Sequence, residues 1–397
     1  MKTKLLLHSI YTLLISACAL SITGCGDKDE PTPPAPPEPA GPAERTVLVY
    51  MAANNNLGSS RYDRMDIDEM RQAAKAGGSR GGRLVIYHAG YNTAPTLVEI
   101  LADRLDTLKV YDNENLSVSS ARMAEVFSDL DEAVPARQYG LVLWSHGTGW
   151  LQDGMEEPER QRSFGLEGRH TMNVSTLAQT IEEAPFKLDF VYFDCCYMMS
   201  VETLYQMRHT APVIAGSTTE LLTTGMPYDQ NIACFFTNGQ ADLIGAAQNT
   251  FNLYNAMSGQ NSTCTMSVLS TDGLARLADA VREIYLKATP GMPEGYTPQI
   301  FSNVSVSSCH YFDLYDYIKT ICKDFDGADK LWQEFEAAFN AAMLYSEATP
   351  KLWNVVPLDR CHGLSTYILT SDRSASLKNY NTLDWYTDVA SVIKFKE

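Results

Sequence analysis

The stretches that decide the fold are LVLWSHGTGW at residues 141–150 and LDFVYFDCCYMM at residues 188–199. Each begins with a continuous apolar run, which is typical of a strand buried on both faces in a parallel sheet. The first run ends at His146, and the second ends at the sequence DCC (194–196). Further runs of this kind predict strands at Thr46–Met51, Arg83–His88 and Pro212–Ala215.

Segments with helical periodicity lie between these apolar runs. They predict helices at Asp63–Lys75, Ser120–Glu132, Ser175–Glu183 and Tyr197–Arg208. Strands and helices in alternation are typical of βαβ units. The sequence therefore predicts an α/β fold with a mostly parallel central sheet flanked by helices.

The pattern changes toward the C-terminus, where helices dominate. Helices are predicted at Asp242–Met257, Asp272–Lys287, Leu314–Lys323 and Ala328–Glu347, and strands at Thr265–Leu269 and Gly363–Leu369. We therefore expect an α/β domain at residues 45–261 and a smaller C-terminal α+β part at residues 262–397.

The N-terminal residues have the pattern of an export signal. Residues 1–24 are basic at the start and then apolar, and Ile22-Thr23-Gly24-Cys25 resembles a bacterial lipobox, in which Cys25 becomes lipidated. The alternative is an ordinary signal peptide with a chance cysteine. Residues 25–44 would then form the lipidated, proline-rich linker. We expect an outer-membrane lipoprotein exposed at the cell surface, because residues 26–30 resemble a surface-export signal, or otherwise one on the periplasmic face.

Charge and cysteine content exclude several classes of function. The formal net charge of −17 argues against nucleic acid as a partner. Of the nine cysteines, Cys18 lies in the signal and Cys25 takes the lipid, so an odd number remains for the folded part. None has zinc-ribbon spacing, so we predict no metal cluster.

A histidine and a cysteine at the ends of two parallel strands predict nucleophilic catalysis. The carboxyl ends of parallel strands meet at one edge of a sheet, so we expect His146 and Cys196 to lie close together. A thiolate that attacks a carbonyl needs an imidazole to move protons. Gly147 allows close substrate approach, and a helix starting just after Cys196 would favour the thiolate. The alternative is a buried structural cysteine and an ordinary histidine.

Five segments resemble the clostripain family of cysteine peptidases. They are TVLVYMAANNNL (46–57), PARQYGLVLWSHGTGW (135–150), FKLDFVYFDCCYMMSVETLYQMR (186–208), GSTTELLTTGMPY (216–228) and HGLSTYIL (362–369). The resemblance implies a caspase-like α/β sandwich, shared with gingipains and legumains. It also implies hydrolysis of peptide bonds through an acyl-enzyme.

The resemblance also implies the roles of individual residues. His146 corresponds to the catalytic histidine and Cys196 to the nucleophile. The backbone N–H groups of Gly147 and Cys196 would form the oxyanion hole. Asp194 would shape the primary substrate pocket.

Three departures from the family pattern affect this interpretation. Cys195 stands where the family usually has alanine, and asparagines 54–56 replace a loop that is usually richer in aspartate. Thr224 stands where the family has the acid that binds a basic P1 side chain. Glu220, the acid of that loop, either serves the pocket or satisfies local hydrogen-bond donors.

We therefore predict an exported cysteine endopeptidase that acts on protein or peptide substrates, cleaves after Arg or Lys if an acid still serves the pocket, and is a monomer. No cofactor is required; calcium is possible by resemblance, but no site for it is identified. The long charged segment at residues 152–170 is a candidate for self-processing. The alternative function is a non-catalytic surface lipoprotein that binds peptide or glycan on the same fold. A serine hydrolase is disfavoured, because no glycine-flanked serine follows a strand.

Overall fold

The computed structural model describes residues 41–151, 163–370 and 377–394. The predicted signal peptide, Cys25, most of the linker and residues 152–162 of the predicted processing segment lie outside the described residues. The strands are β1 (Ala43–Ala52), β2 (Arg83–Ala89), β3 (Thr96–Ile100), β4 (Leu105–Val110), β5 (Ala136–Trp144), β6 (Phe164–Glu167), β7 (His170–Met172), β8 (Leu188–Asp194), β9 (Val213–Gly216), β10 (Thr265–Ser270), β11 (Phe312–Asp313), β12 (Met343–Ala348), β13 (Lys351–Leu352), β14 (Val356–Pro357) and β15 (Ser365–Thr366).

The helices alternate with strands in the first half of the chain and dominate the second half. They are α1 (Asn56–Ser59), α2 (Tyr62–Lys75), α3 (Ser120–Ala133), α4 (Val174–Glu182), α5 (Val201–Gln206), α6 (Tyr228–Phe235), α7 (Leu243–Asn255), α8 (Leu274–Lys287), α9 (Leu314–Ile321), α10 (Ala328–Ala342), α11 (Leu377–Tyr380) and α12 (Asp384–Asp388). Short 3-10 helices lie at Gly259–Asn261, Thr271–Gly273, Val306–Ser308 and Ala390–Val392.

The central sheet has nine strands in the order β12-β10-β9-β8-β5-β1-β2-β3-β4. The five strands from β9 to β2 are parallel to one another. The two strands at each edge pair antiparallel. The predicted α/β fold with a mostly parallel sheet is therefore confirmed.

Both faces of the sheet are buried, because alternate residues of each strand enter two separate cores. On β5, Leu141 and Leu143 join one core, and Val142 and Trp144 join the other. The first core includes the buried faces of α3, α4, α5 and α8, and the second includes those of α2, α6 and α7. Burial on both sides explains why the strands are continuously apolar in sequence.

The strand order reverses between β1 and β5. Strand β2 lies on the far side of β1, whereas β8 and β9 continue beyond β5. In open parallel sheets the crevice at such a reversal, outside the carboxyl ends of the strands, is the usual position of the functional site. The loops that follow β1, β5 and β8 all begin at this edge.

Two predicted helices differ from the structure at their ends. The helix predicted from Tyr197 begins only at Val201, because Ser200 caps its first turn and Tyr197 has φ 61°, in the left-handed region. The helix predicted to Glu347 ends at Ala342, since Met343–Ala348 pairs with β10 instead. Pairing with the rest of the sheet overrides the local helical pattern here.

The C-terminal part of the chain contributes to the same sheet. Strands β10 and β12 lie at one edge of the nine-stranded sheet, although both follow residue 261. The strand predicted at Gly363–Leu369 is reduced to β15, which pairs with β11. A separate subdomain from residue 262 stays a prediction. Among the helices of the described residues, none is long and apolar enough to cross a membrane.

A buried glutamate joins α5 to the C-terminal segments. Glu202 is fully buried, and its Oε1 accepts hydrogen bonds from Thr366 Oγ1 at 2.9 Å, Tyr367 N at 2.8 Å and Tyr380 Oη at 3.2 Å. Burial raises the pKa of Glu202 to about 7, although these hydrogen bonds oppose the shift. The folded protein therefore holds this proton more tightly than the unfolded chain does.

This shift predicts how stability depends on pH. A folded-state pKa above the unfolded value of 4.5 gives stability that is complete below pH 4.5 and is lost as the pH rises through about 7. We expect Glu202→Gln, which keeps an acceptor and mimics the protonated acid, to gain about 3 kcal/mol relative to the wild type over this range. Urea unfolding at several pH values measures it, with the surface variant Glu283→Gln as control. A constant difference between Glu202→Gln and the wild type would contradict the prediction.

Candidate active site

The register of the sheet brings the predicted histidine and cysteine to the same place. Trp144, at the end of β5, is the Cα partner of Asp194, at the end of β8. His146 and Cys196 each follow two residues later in the chain. The two loops therefore leave the same edge of the sheet side by side.

The histidine loop packs directly against the cysteine loop at Gly147. A methyl group on the Gly147 Cα would lie 2.6 Å from the Cys196 carbonyl oxygen and 2.9 Å from Cys195 Cβ. No larger residue fits without separating the loops. Gly147 and Phe164 face each other in an isolated antiparallel β-bridge. The hydrogen bonds of this bridge are made by the residues on either side of the pair, so the Gly147 N–H points away from Phe164.

The two adjacent cysteines have different surroundings. Cys195 is buried, and its Sγ donates to the Leu143 carbonyl at 3.0 Å. Burial raises its pKa well above the ordinary value. Cys196 is half-buried, and its Sγ accepts from the Leu221 N–H at 3.4 Å. The buried thiol is thus packed into the sheet, whereas Cys196 is accessible from the cleft described below.

Cys196 lies on a loop and not in the first turn of a helix. The loop is held by backbone hydrogen bonds from Tyr197 to Thr219 and from Met199 to Ser217, each 3.0 Å long. Because α5 begins only at Val201, the expectation that a helix N-terminus favours the Cys196 thiolate is wrong. The loop itself, anchored at both ends, fixes the position of Cys196.

His146 has a partner that sequence analysis missed. Its Nε2 lies 2.8 Å from Asn56 Oδ1, at the start of α1. Because an amide oxygen only accepts, this bond places a proton on Nε2. The neighbouring Asn55 holds the loop, since it caps α1 and donates to the Ala52 carbonyl. The signal that could have identified Asn56 is its position in the loop after β1, where the strand order reverses and a functional site is expected.

The two loops border a cleft of about 130 Å³. Its lining combines the catalytic candidates with apolar side chains: Leu57, Trp144, Ser145, His146, Asp194, Cys195, Cys196, Leu221, Leu222, Thr223 and Gly225. Larger hollows lie elsewhere, along α2 and near Tyr315, but they do not contain the predicted nucleophile. The small cleft is therefore the candidate active site.

The three predicted substrate-binding residues are placed differently. Asp194 lines the cleft, whereas Glu220 and Thr224 are not among its lining residues. Glu220 interacts with the buried Tyr197 hydroxyl, whose pKa is raised first by burial and then by the Glu220 charge. Thr224 is exposed, between two residues that do line the cleft. Their roles in substrate binding stay predictions.

A second acid, Asp66 of α2, lies near Asp194. Trp144 Nε1 donates to Asp66 Oδ2 at 2.6 Å, and Asp194 Oδ2 accepts from Tyr228 Oη at 3.1 Å. Burial, followed by the Asp194 charge, raises the pKa of Asp66 to about 9. Burial also raises the pKa of Asp194 to about 6, although the Tyr228 hydrogen bond opposes it. Sequence analysis missed Asp66, because it lies in an acidic helical segment that looked solvated.

The described residues give no support for a metal site. Among residues 41–151, 163–370 and 377–394, no group of three or more His, Cys, Asp and Glu side chains could hold a metal ion. No chemical step is therefore assigned to calcium.

Comparison with known proteins identifies the family. The model of the clostripain family matches residues 49–395. The chain belongs to the clostripain family. No similar sequence was found among curated proteins. The family match covers four of the five segments that carry the resemblance in full, and residues 49–57 of the first.

Solved structures of clostripain-family peptidases are similar over most of the chain. An inactive zymogen C11 protease from Parabacteroides distasonis is 28% identical, with a TM-score of 0.74, covering 87% of this chain and 97% of that chain. A secreted C11 cysteine protease from Bacteroides thetaiotaomicron, solved with an irreversible peptide inhibitor, is 27% identical, with a TM-score of 0.73 and coverages of 87% and 98%. The Bacteroides thetaiotaomicron protease iotapain, 23% identical with a TM-score of 0.76 and coverages of 88% and 99%, supports the fold alone.

These comparisons confirm the predicted family and enzyme class. The protein is a clostripain-family cysteine peptidase, and its substrates are peptides. The alternative of a purely binding lipoprotein on the same fold is thereby disfavoured.

Proposed function

We propose that this clostripain-family member is an exported endopeptidase in which Cys196 is the nucleophile and His146 the proton carrier. The contact between their two loops carries the proposal. Gly147 packs against the Cys196 carbonyl, both loops start from register-paired residues, and both side chains line one cleft. The two side chains thus border the space that a scissile peptide would enter.

The reaction follows from these positions. The Cys196 thiolate attacks the carbonyl carbon of the scissile peptide and forms a carbon–sulfur bond. His146 then gives its proton to the leaving nitrogen, and the carbon–nitrogen bond breaks to leave a thioester. Water, deprotonated by His146, attacks the thioester carbonyl and releases the acid and the thiolate.

The negative charge that develops on the carbonyl oxygen requires hydrogen-bond donors. We assign this role to the N–H groups of Gly147 and Cys196. The Gly147 N–H points away from Phe164, and the cysteine loop packs against the same residue. Backbone donors held by packed loops need no rearrangement as the charge develops.

Asn56 is assigned to orient the histidine. Since Nε2 donates to Asn56 Oδ1 at 2.8 Å, proton exchange with Cys196 and substrate would use Nδ1. Asn55 caps α1 and so holds Asn56 at the site. An amide partner fixes the tautomer and ring orientation without adding a negative charge.

The substrate preference is proposed to be a basic P1 residue. Asp194 is a buried acid that lines the cleft beside the nucleophile. A carboxylate in a desolvated pocket favours Arg or Lys and disfavours apolar side chains. The family resemblance supports the same preference. Asp194 would therefore supply the negative charge for a basic P1 side chain, although position 224 is a threonine and not an acid.

The cellular location is proposed from the N-terminal sequence. A lipid on Cys25 would hold the enzyme on the outer membrane, and the proline-rich linker would carry it away from the lipid surface. The secreted relative from Bacteroides thetaiotaomicron supports an exported enzyme.

The two neighbouring thiols allow a matched test of the nucleophile. We expect Cys196→Ala to abolish cleavage of a diverse peptide library under reducing conditions, because no thioester can form. Cys195→Ala should retain most activity, because the Cys195 thiol is packed against Leu143. Cleavage sites identified by mass spectrometry will give the P1 preference. Equal activity of Cys196→Ala and the wild type would refute the proposal.

The role of Asn56 predicts a specific kinetic change. We expect Asn56→Ala to lower kcat by about tenfold to a hundredfold with little change in KM, since the imidazole loses its orienting partner but substrate contacts remain. Asn54→Ala, in the same loop and bonded to Glu167 at 2.9 Å, is the control. If Asn56→Ala and Asn54→Ala have the same kcat, Asn56 does not orient His146.

The anchor is tested by cell fractionation. We expect the wild-type protein in the membrane fraction and accessible to added protease in intact cells, whereas Cys25→Ser should be absent from the outer membrane. A Cys25→Ser protein that fractionates with the membrane as the wild type does would exclude the lipid anchor.

A further inference from the structure

Asp66 is buried directly behind one wall of the cleft. It lies on α2, its exposed fraction is only 2%, and its Oδ2 accepts a 2.6 Å hydrogen bond from the Trp144 indole. Trp144 itself lines the cleft. Asp66 therefore contacts the active site from the helix side of the sheet, although no step of the proposed reaction uses it.

Asp66 and Asp194 contact the same point of the loop beside the cleft. A methyl group on the Gly225 Cα would lie 3.0 Å from Asp194 Oδ2 and 3.3 Å from Asp66 Oδ2. Gly225 lines the cleft and has φ 65°, which favours glycine. The glycine lets both carboxylates approach one position from two different elements.

The groups around this pair supply no positive charge. Asp66 faces Asp63 and Glu69 of its own helix, and Asp194 faces Glu69 as well. Neutral hydroxyls approach from the other helices, Tyr228 on α6 and Tyr254 on α7. Within the described ranges, no ion pair joins Asp66 or Asp194 to a Lys, Arg or His.

Two buried acids without a cationic partner lower stability unless a ligand supplies the charge. The cleft is where a substrate cation would approach the pair, because Asp194, Trp144 and Gly225 all line it. A P1 guanidinium has five donors in a planar fork and can bond to two carboxylates at once.

We propose that Asp66 is the second acid of the primary substrate pocket and forms with Asp194 a carboxylate pair that selects a P1 arginine. This proposal rests on the proposed function and adds to it a specificity-determining residue. Asp66 acts together with Asp194, so that the pocket binds a cation although position 224 is a threonine and not an acid.

Because two adjacent buried carboxylates do not both ionise easily, the pair loses its protons in two separate steps and between them holds a single proton. The pocket then carries one negative charge, which matches the single charge of arginine. As the pH rises, the second carboxyl ionises and the pocket becomes more negative. Selection of a cation therefore increases in two steps, which belong to the pair and not to either residue alone.

The test compares two substrates that differ only in charge. The ratio of kcat/KM for a peptide with P1 arginine to that for the same peptide with P1 citrulline is measured from acid to alkaline pH. Titration of Cys196 and His146 affects both substrates and cancels in the ratio. We expect the wild-type ratio to rise in two steps. Asp66→Asn, which can still accept from Trp144, should lose the upper step, a decrease of about tenfold at alkaline pH.

A matched control comes from the same helix. Asp63 is equally buried, but it pairs with His88 at 2.7 Å, whereas Asp66 accepts from Trp144 and approaches Gly225. Asp63→Asn should keep both steps. Asp66→Asn should also be more stable than the wild type at alkaline pH, since the buried charge is absent, and equally stable at acid pH.

The outcomes separate this proposal from the proposed function. If Cys196→Ala retains cleavage, the proposed function fails. If cleavage depends on Cys196 but Asp66→Asn has the wild-type ratio at every pH, Asp66 is not a specificity residue. If Asp66→Asn is less stable than the wild type at all pH values with an unchanged ratio, Asp66 has only a structural role.

Discussion

The parallel pairing of β5 with β8 is the constraint on which the rest of the site depends. It sets Trp144 opposite Asp194, so the histidine and cysteine loops start from one edge of the sheet. Both strands are buried on both faces, so a slip in register would misplace every core side chain. The core that stabilises the sheet therefore also fixes the relative position of His146 and Cys196.

Much of this arrangement could be predicted from the sequence. The parallel strands are continuous apolar runs, so the residues at their ends could be placed at one edge from the sequence alone. The edge strands β3 and β4 were missed, because their sequences are partly polar and lie between stronger signals. The strand Met343–Ala348 was predicted as helix, since only its partner β10 makes it extended.

The side-chain contacts that orient the catalytic residues could not be predicted in the same way. The contact between His146 and Asn56 joins residues 90 positions apart, and it depends on the path of a short loop. Asp66 belongs to the segment RMDIDEM, whose charges are typical of a solvated helix face. Only the packing of α2 over Trp144 shows that this carboxyl is buried. Likewise, α5 begins later in the chain than predicted, because the residues after Cys196 form backbone hydrogen bonds to residues 217–219 instead of a helical turn.

A conflict between stability and function follows from these positions. Asp66, Asp194 and Glu202 are all buried acids whose pKa values are raised, so each lowers the stability of the folded protein as the pH rises. Glu202 is compensated by three hydrogen bonds that hold the C-terminal segments. Asp66 and Asp194 have fewer such bonds, and Asp194 lines the cleft while Asp66 lies behind Trp144, which lines it as well. Destabilising charges at an active site indicate a role in binding rather than in folding. The absence of the usual acid at position 224 is thus compatible with a preference for a cation, because Asp194 and Asp66 place negative charge beside Gly225, the next residue in the chain.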